Sequence, residues 1–178
     1  MIHVKIPFDP EKNLGRAYNR AFEGIAEDDW VCLIDHDVLF LTPDAILLMY
    51  EYTRSYPDTG IFTCYTNRVH PLSMDQLLHG RVSENTNMGF HLDLAYNQKR
   101  FGITVTEINH VISGFLMLVS KKTWNEIKFS ESGKCLGVDN DFSANVLERG
   151  KKIYRMDSVY VWHTYRLKNG ITDKTHLK

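Results

Sequence analysis

The run Trp30-Val31-Cys32-Leu33-Ile34 is apolar without a break and stops abruptly at Asp35-His36-Asp37. Five apolar residues with no polar alternation suit a strand covered on both faces, as in a parallel sheet sandwiched by helices. Helical spacing flanks it. Leu14, Ala17, Tyr18, Ala21, Phe22 and Ile25 form one stripe, and Ile46, Met49, Tyr50 and Thr53 another. Asp9-Pro10 predicts the cap and first turn of the first helix. Thr42-Pro43-Asp44 predicts those of the second, which Pro57 and Gly60 close. Further strands are predicted over residues 2–8, 61–65 and 111–120, the last kinked at Gly114, with two closing strands over 153–156 and 159–162. Helical segments are predicted over 91–100, 123–127 and 139–149, with Gly150 as the last cap. Strands alternating with helices predict an α/β fold: a mostly parallel, Rossmann-like central sheet flanked by helices. With 178 residues, no repeat and no linker, one domain over 1–178 is expected.

Several functional classes are disfavoured. The formal net charge is -1, so no basic excess exists to attract nucleic acid. Cys32, Cys64 and Cys135 are odd in number and far apart, with no CxxC pair. Neither a zinc knuckle nor a disulfide scaffold is indicated, and a reducing, cytoplasmic setting is expected. The N-terminus shows no signal peptide, and no apolar run reaches the roughly 20 residues of a membrane span. A membrane-bound acceptor would have to be met at the surface.

The acidic pair carries the chemistry. On extended backbone, residues two apart point the same way, so Asp35 and Asp37 would converge. Converging carboxylates repel unless a proton or cation lies between them. Hard divalent ions such as Mg²⁺ and Mn²⁺ take oxygen ligands and keep positions open for substrate phosphates. The same pair would also serve as a simple cap or turn. Its place favours the metal, because ligands of α/β sheets gather beyond the carboxyl ends of strands.

Five segments in order resemble the family 2-like glycosyltransferases of the GT-A fold. They are Asn13-Leu14-Gly15-Arg16-Ala17-Tyr18-Asn19-Arg20-Ala21, Val31-Cys32-Leu33-Ile34-Asp35-His36-Asp37, Ser113-Gly114-Phe115-Leu116, Gly137-Val138-Asp139-Asn140-Asp141-Phe142, and Gly150-Lys151-Lys152-Ile153 leading to Trp162-His163. Ile6-Pro7-Phe8-Asp9 looks like the end of the family's first strand. Two features depart from the pattern. Only residues 1–12 precede the Asn13 segment, where typical members place a strand, a helix and a second strand. Val138 stands where the family carries glutamate.

The resemblance implies transfer of a sugar from a nucleotide-diphosphate sugar, a UDP-sugar being favoured, to a glycan, protein or lipid-linked acceptor. It implies a Mn²⁺ or Mg²⁺ ion held by Asp37 and His163, with Asp35 reaching it through water or contacting the donor's ribose, and this ion neutralises the diphosphate leaving group. Asp139 matches the general-base position, with Asp141 second. A base role goes with inversion; in a retaining reaction Asp139 would orient the acceptor instead. Asp139 also suits simple helix capping. Donor or acceptor contacts are implied for Pro7, Phe8, Asp9, Asn13, Arg16, His36 and Gly114. Arg166, in the basic tail with Tyr165 and Lys168, would fold over the diphosphate or simply end the chain. Trp124 and Trp162 would stack on sugars or pack inside. The short N-terminal region leaves room for a second copy or a partner subunit to complete the site. Two other classes stay open. One is a non-catalytic nucleotide- or glycan-binding module. The other is a nucleotidyltransferase, although no Gly-rich phosphate loop is present.

Overall fold

The structure is a computed structural model and describes residues 1–69, 71–132 and 135–164. Its strands are β1 (Ile2–Lys5), β2 (Trp30–Ile34), β3 (Val38–Phe40), β4 (Ile61–Thr66), β5 (Val105–Ile108), β6 (Leu116–Ser120) and β7 (Ile153–His163). Its helices are α1 (Leu14–Ala21), α2 (Ala45–Ser55), α3 (Met88–Gln98), α4 (Lys121–Glu126) and α5 (Val138–Glu148). The strands form one open sheet in the order β1-β2-β6-β4-β7-β3, with β5 also paired to β7. No helix among the described residues is long and apolar enough to cross a membrane.

The sheet is mixed, which corrects the expectation of a mostly parallel one. Among the described strands, β1/β2 and β4/β7 pair in parallel, while β2/β6, β4/β6, β3/β7 and β5/β7 are antiparallel. An unbroken apolar run reports burial on two faces and says nothing about a neighbour's direction. Both β2 and the antiparallel β6 are buried throughout. Alternate residues of β2 feed two cores. Val31 and Leu33 join Tyr18, Phe22, Trp124, Phe142 and Val146 on one face. Trp30, Cys32 and Ile34 join Met49, Tyr52, Phe62 and Leu118 on the other. This is the two-layer burial that a helix-flanked sheet requires.

The first helix starts later than Asp9-Pro10 predicts. Asn13 caps α1, its side-chain oxygen accepting the Arg16 N–H at 3.0 Å. Asp9 instead builds the preceding turn: its Oδ1 accepts the Glu11 N–H at 2.9 Å, and its carbonyl accepts the Lys12 N–H at 3.1 Å. A local carboxylate-to-backbone bond competes directly with helix initiation. Gly15 lets α1 lie against the chain near Ser130. A Cβ there would stand 1.8 Å from the Ser130 carbonyl oxygen, so backbone would have to move. Gly15→Ala is therefore expected to cost about 3 kcal/mol, read as a lowered denaturation midpoint.

Two strand predictions change in detail. Gly114 lies ahead of β6 rather than inside it. The two predicted closing strands are one, β7, whose register against β4 jumps from Cys64↔Met156 to Tyr65↔Tyr160. The extra residues bulge, and buried Tyr52 fixes them: its hydroxyl accepts the Ser158 N–H at 3.1 Å and donates to the main-chain carbonyls at Gly102 or Thr104. A bulge re-aims the strand beyond it. Here it precedes His163.

Candidate functional site

Strands β1, β2, β4 and β7 run the same way, so their carboxyl ends meet along one edge of the sheet. Pro7 to Asp9 follow β1, Asp35 to Asp37 follow β2, Asn67 and Arg68 follow β4, and His163 ends β7. Antiparallel β6 starts at that edge, preceded by Gly114 and Phe115. The strand directions alone therefore gather residues far apart in sequence.

Asp35, Asp37 and His163 come together with one potential ligand atom each inside 4.8 Å. His163 Nε2 lies 3.2 Å from Asp37 Oδ1 and 4.0 Å from Asp35 Oδ2. The imidazole is held from behind. Its Nδ1–H donates to the Arg68 carbonyl at 2.9 Å, and its ring stacks on Phe115 at 5.4 Å between centroids. Asn67 clamps the backbone, accepting the His163 N–H at 2.7 Å and donating to its carbonyl at 3.1 Å. With the Nδ1 proton given to a carbonyl, Nε2 is the atom presented to the two carboxylates. It meets them either as a proton donor or as a lone pair that needs a cation between.

The electrostatics agree with that donor set. Burial pushes Asp35 from its ordinary 3.8 up to about 6; His163 opposes this, while Asp37 and Asp139 add to it. Burial also acts to raise Asp37, but the His163 hydrogen bond and charge outweigh it and hold Asp37 below its ordinary value. Two carboxylates and one oriented imidazole suit Mn²⁺, and Mg²⁺ with weaker use of the nitrogen. The residues fit the ion implied by the acidic motif.

Asp139 opens α5, in its first turn. Its Oδ2 accepts the Gly114 N–H at 2.7 Å. A Cβ on Gly114 would lie 2.7 Å from Asp139 Cβ, so only glycine allows this approach. Burial raises the Asp139 carboxyl, and the Gly114 N–H only partly counters it. Asp141 is exposed and turned away, as two positions along a helix requires.

The remaining candidates divide. Arg16 gives its guanidinium to Asp9, at 2.7 and 2.8 Å, and to Glu11 at 2.6 Å. That guanidinium holds buried Asp9 well below the usual carboxylate range. These residues and the cap Asn13 brace the turn before α1. Phe8 is 79% exposed beside half-buried Pro7, and His36 is exposed at the tip of the acidic turn. Arg166 lies outside the described residues. Trp124 stacks on Phe22 and Trp162 on His91, so both serve packing. Val138 is buried in the α5 core, where glutamate would be costly.

Sequence patterns gave no warning of Asn67 and Arg68, whose contacts to His163 are set by strand pairing. Tyr18 reads as an ordinary core position. Its buried phenol is pushed well above its ordinary value by burial, with Asp35, Asp139 and Cys135 adding to the shift. Compared with known proteins, the sequence matches no family model and no curated protein.

Proposed function

We propose that the chain is a metal-dependent glycosyltransferase of the GT-A kind, moving a sugar from a UDP-sugar to an acceptor hydroxyl with inversion. One observation carries this: Asp35, Asp37 and His163 converge at the carboxyl edge of the sheet, with Asp139 near enough for its charge to raise Asp35. Asp35, Asp37 and His163 would hold Mn²⁺ or Mg²⁺, which when bound supplies positive charge to a diphosphate leaving group. The chain's own groups do the rest. The Gly114 N–H fixes one oxygen of Asp139, and with it the carboxylate that would take the acceptor's proton. Burial makes that carboxylate a better proton acceptor than a solvated one. Exposed Phe8, following β1 at the same edge, offers a face on which a nucleobase would stack. The test is release of UDP from a panel of UDP-sugars with Mn²⁺, with the anomeric configuration of the product read by NMR. Inversion is expected; retention would remove Asp139 as base.

Asp35 gives a pH prediction with a definite sign. Its carboxyl is held up in the folded protein, so the native state binds the proton more tightly than the unfolded chain does. Metal-free stability should then fall as pH rises from about 4 to about 6. Asp35→Asn removes this penalty. Without metal the variant is expected to melt above the parent at pH 7.5, and the two should converge near pH 4. Conversely, Mn²⁺ affinity of the parent should rise through pH 6 and then level, since the ion competes with that proton.

A further inference from the structure

A second feature lies away from the carboxylate cluster. A cavity of about 510 Å³ opens against β4, β5 and β7, walled by Tyr65, Gln98, Phe101, Arg155, Asp157 and the 74–80 segment apart from buried Gln76. This volume is in the range of small-ligand sites. A smaller cavity of about 290 Å³ shares Leu78 and His79 with it and reaches Asn67, the residue that clamps His163. His79 forms the shared ridge on a left-handed backbone, φ 62, seldom adopted by residues with a side chain.

The lining has a definite chemistry. Its charges are already matched: Arg155 pairs with Asp157 at 2.9 Å and lies 4.0 Å over the Tyr65 ring, and Asp75 pairs with His110 at 2.6 Å. An anionic ligand would find no uncommitted cation in this wall among the described residues. What is uncommitted is neutral. Gln98 is 8% exposed, yet among the described residues its carboxamide makes no hydrogen bond. Its amide atoms are not shut away from solvent, so a ligand hydroxyl would take the place of water there. The Tyr65 hydroxyl also makes no hydrogen bond among the described residues. Phe101 at the mouth is 60% exposed, an aromatic face open to stacking. The wall is tied to the carboxylate site as well. Gln76 bonds both main-chain groups of Ser113, at 2.8 and 3.0 Å, next to the Gly114 that holds Asp139.

We infer that this groove binds an uncharged, polyhydroxylated chain, a neutral oligosaccharide, with one ring stacked on Phe101 and its hydroxyls on Gln98 and Tyr65. Its use as the remote part of a glycan acceptor rests on the glycosyl-transfer reading above; the carbohydrate site itself does not.

The experiment follows amide resonances of isotope-labelled full chain during titration with cellohexaose, maltohexaose and hexa-N-acetylchitohexaose. Shifts at Gln98, Phe101 and Thr106 are expected with at least one glycan, in the parent and in Asp37→Ala alike. Phe101→Ala should weaken binding about tenfold, and Phe101→Trp should restore it. Inorganic phosphate should move none of these resonances. If none of the glycans shifts them, the subsite is overturned, even where UDP and Mn²⁺ bind. Equal affinity in Phe101→Ala places the glycan elsewhere and overturns it too. Binding here by a protein that does not take up UDP with Mn²⁺ supports the carbohydrate site and ends only the transferase reading.

Discussion

An Asp139→Asn variant is expected to lose turnover by about 10²–10⁴-fold while nucleotide affinity stays within a factor of a few. The substitution is nearly isosteric. Its side-chain oxygen still accepts the Gly114 N–H, which the parent bonds at 2.7 Å, so α5 and the turn ahead of β6 keep their contact. Only the capacity to take a proton is lost. A second readout separates this from a packing effect. Asp139 is one of the charges that raise Asp35, so neutralising it should move the pH midpoint of Mn²⁺ uptake below about 6. A fall in turnover together with that acid shift would mark a carboxylate acting at the site. Unchanged turnover would remove Asp139 from the chemistry. Nucleotide binding without turnover in the parent itself would favour a binding module.

Asp37→Ala should abolish metal-supported nucleotide binding, a loss of more than about 100-fold in affinity. Its carboxylate lies 3.2 Å from His163 Nε2, closer than the 4.0 Å of Asp35. The fold should survive, because His163 is anchored independently by the Arg68 carbonyl and by Asn67. Thermal melts check the distinction. With Mn²⁺ at a hundred times its Kd, the parent should gain about 2.7 kcal/mol of stability and melt higher. The variant should show the parent's metal-free melting temperature and no response to Mn²⁺. A variant that melts far below the metal-free parent would mean that Asp37 mainly supports structure.

The contrast between what the sequence announces and what it hides has a physical basis. Trp30–Ile34 and the acidic turn after it are local: burial shows as an unbroken apolar run, and the chain leaves the sheet where the run stops. Helix α2 was legible for the same reason, since its apolar stripe lies within one segment, and α5 was legible with Gly150 as its closing cap. The direction of β6 was not legible, because its residues are as buried as those of a parallel strand. Short β3 and β5 escaped because three and four residues carry too little pattern. Asp9 misled because the signal that caps a helix also closes a turn, and here it closes the turn.

At the site, Asp35, Asp37, Asp139 and His163 were reached through ordered motifs, and folding brings them to one edge. Their supports were not reached. Asn67 and Arg68 act on His163 across the β4/β7 pairing, and no local pattern encodes that register. Arg16 illustrates the opposite limit. Its position near the edge fits a phosphate contact, but its guanidinium is engaged by Asp9 and Glu11.

The most direct measurement is a calorimetric titration of UDP, and of GDP as the competing base, into the full chain with Mn²⁺ and then with EDTA. Saturable UDP binding that needs Mn²⁺ and disappears in Asp37→Ala is the predicted result. UDP binding of equal strength in EDTA, or no binding of either nucleotide with Mn²⁺ present, would contradict a donor site built on Asp35, Asp37 and His163.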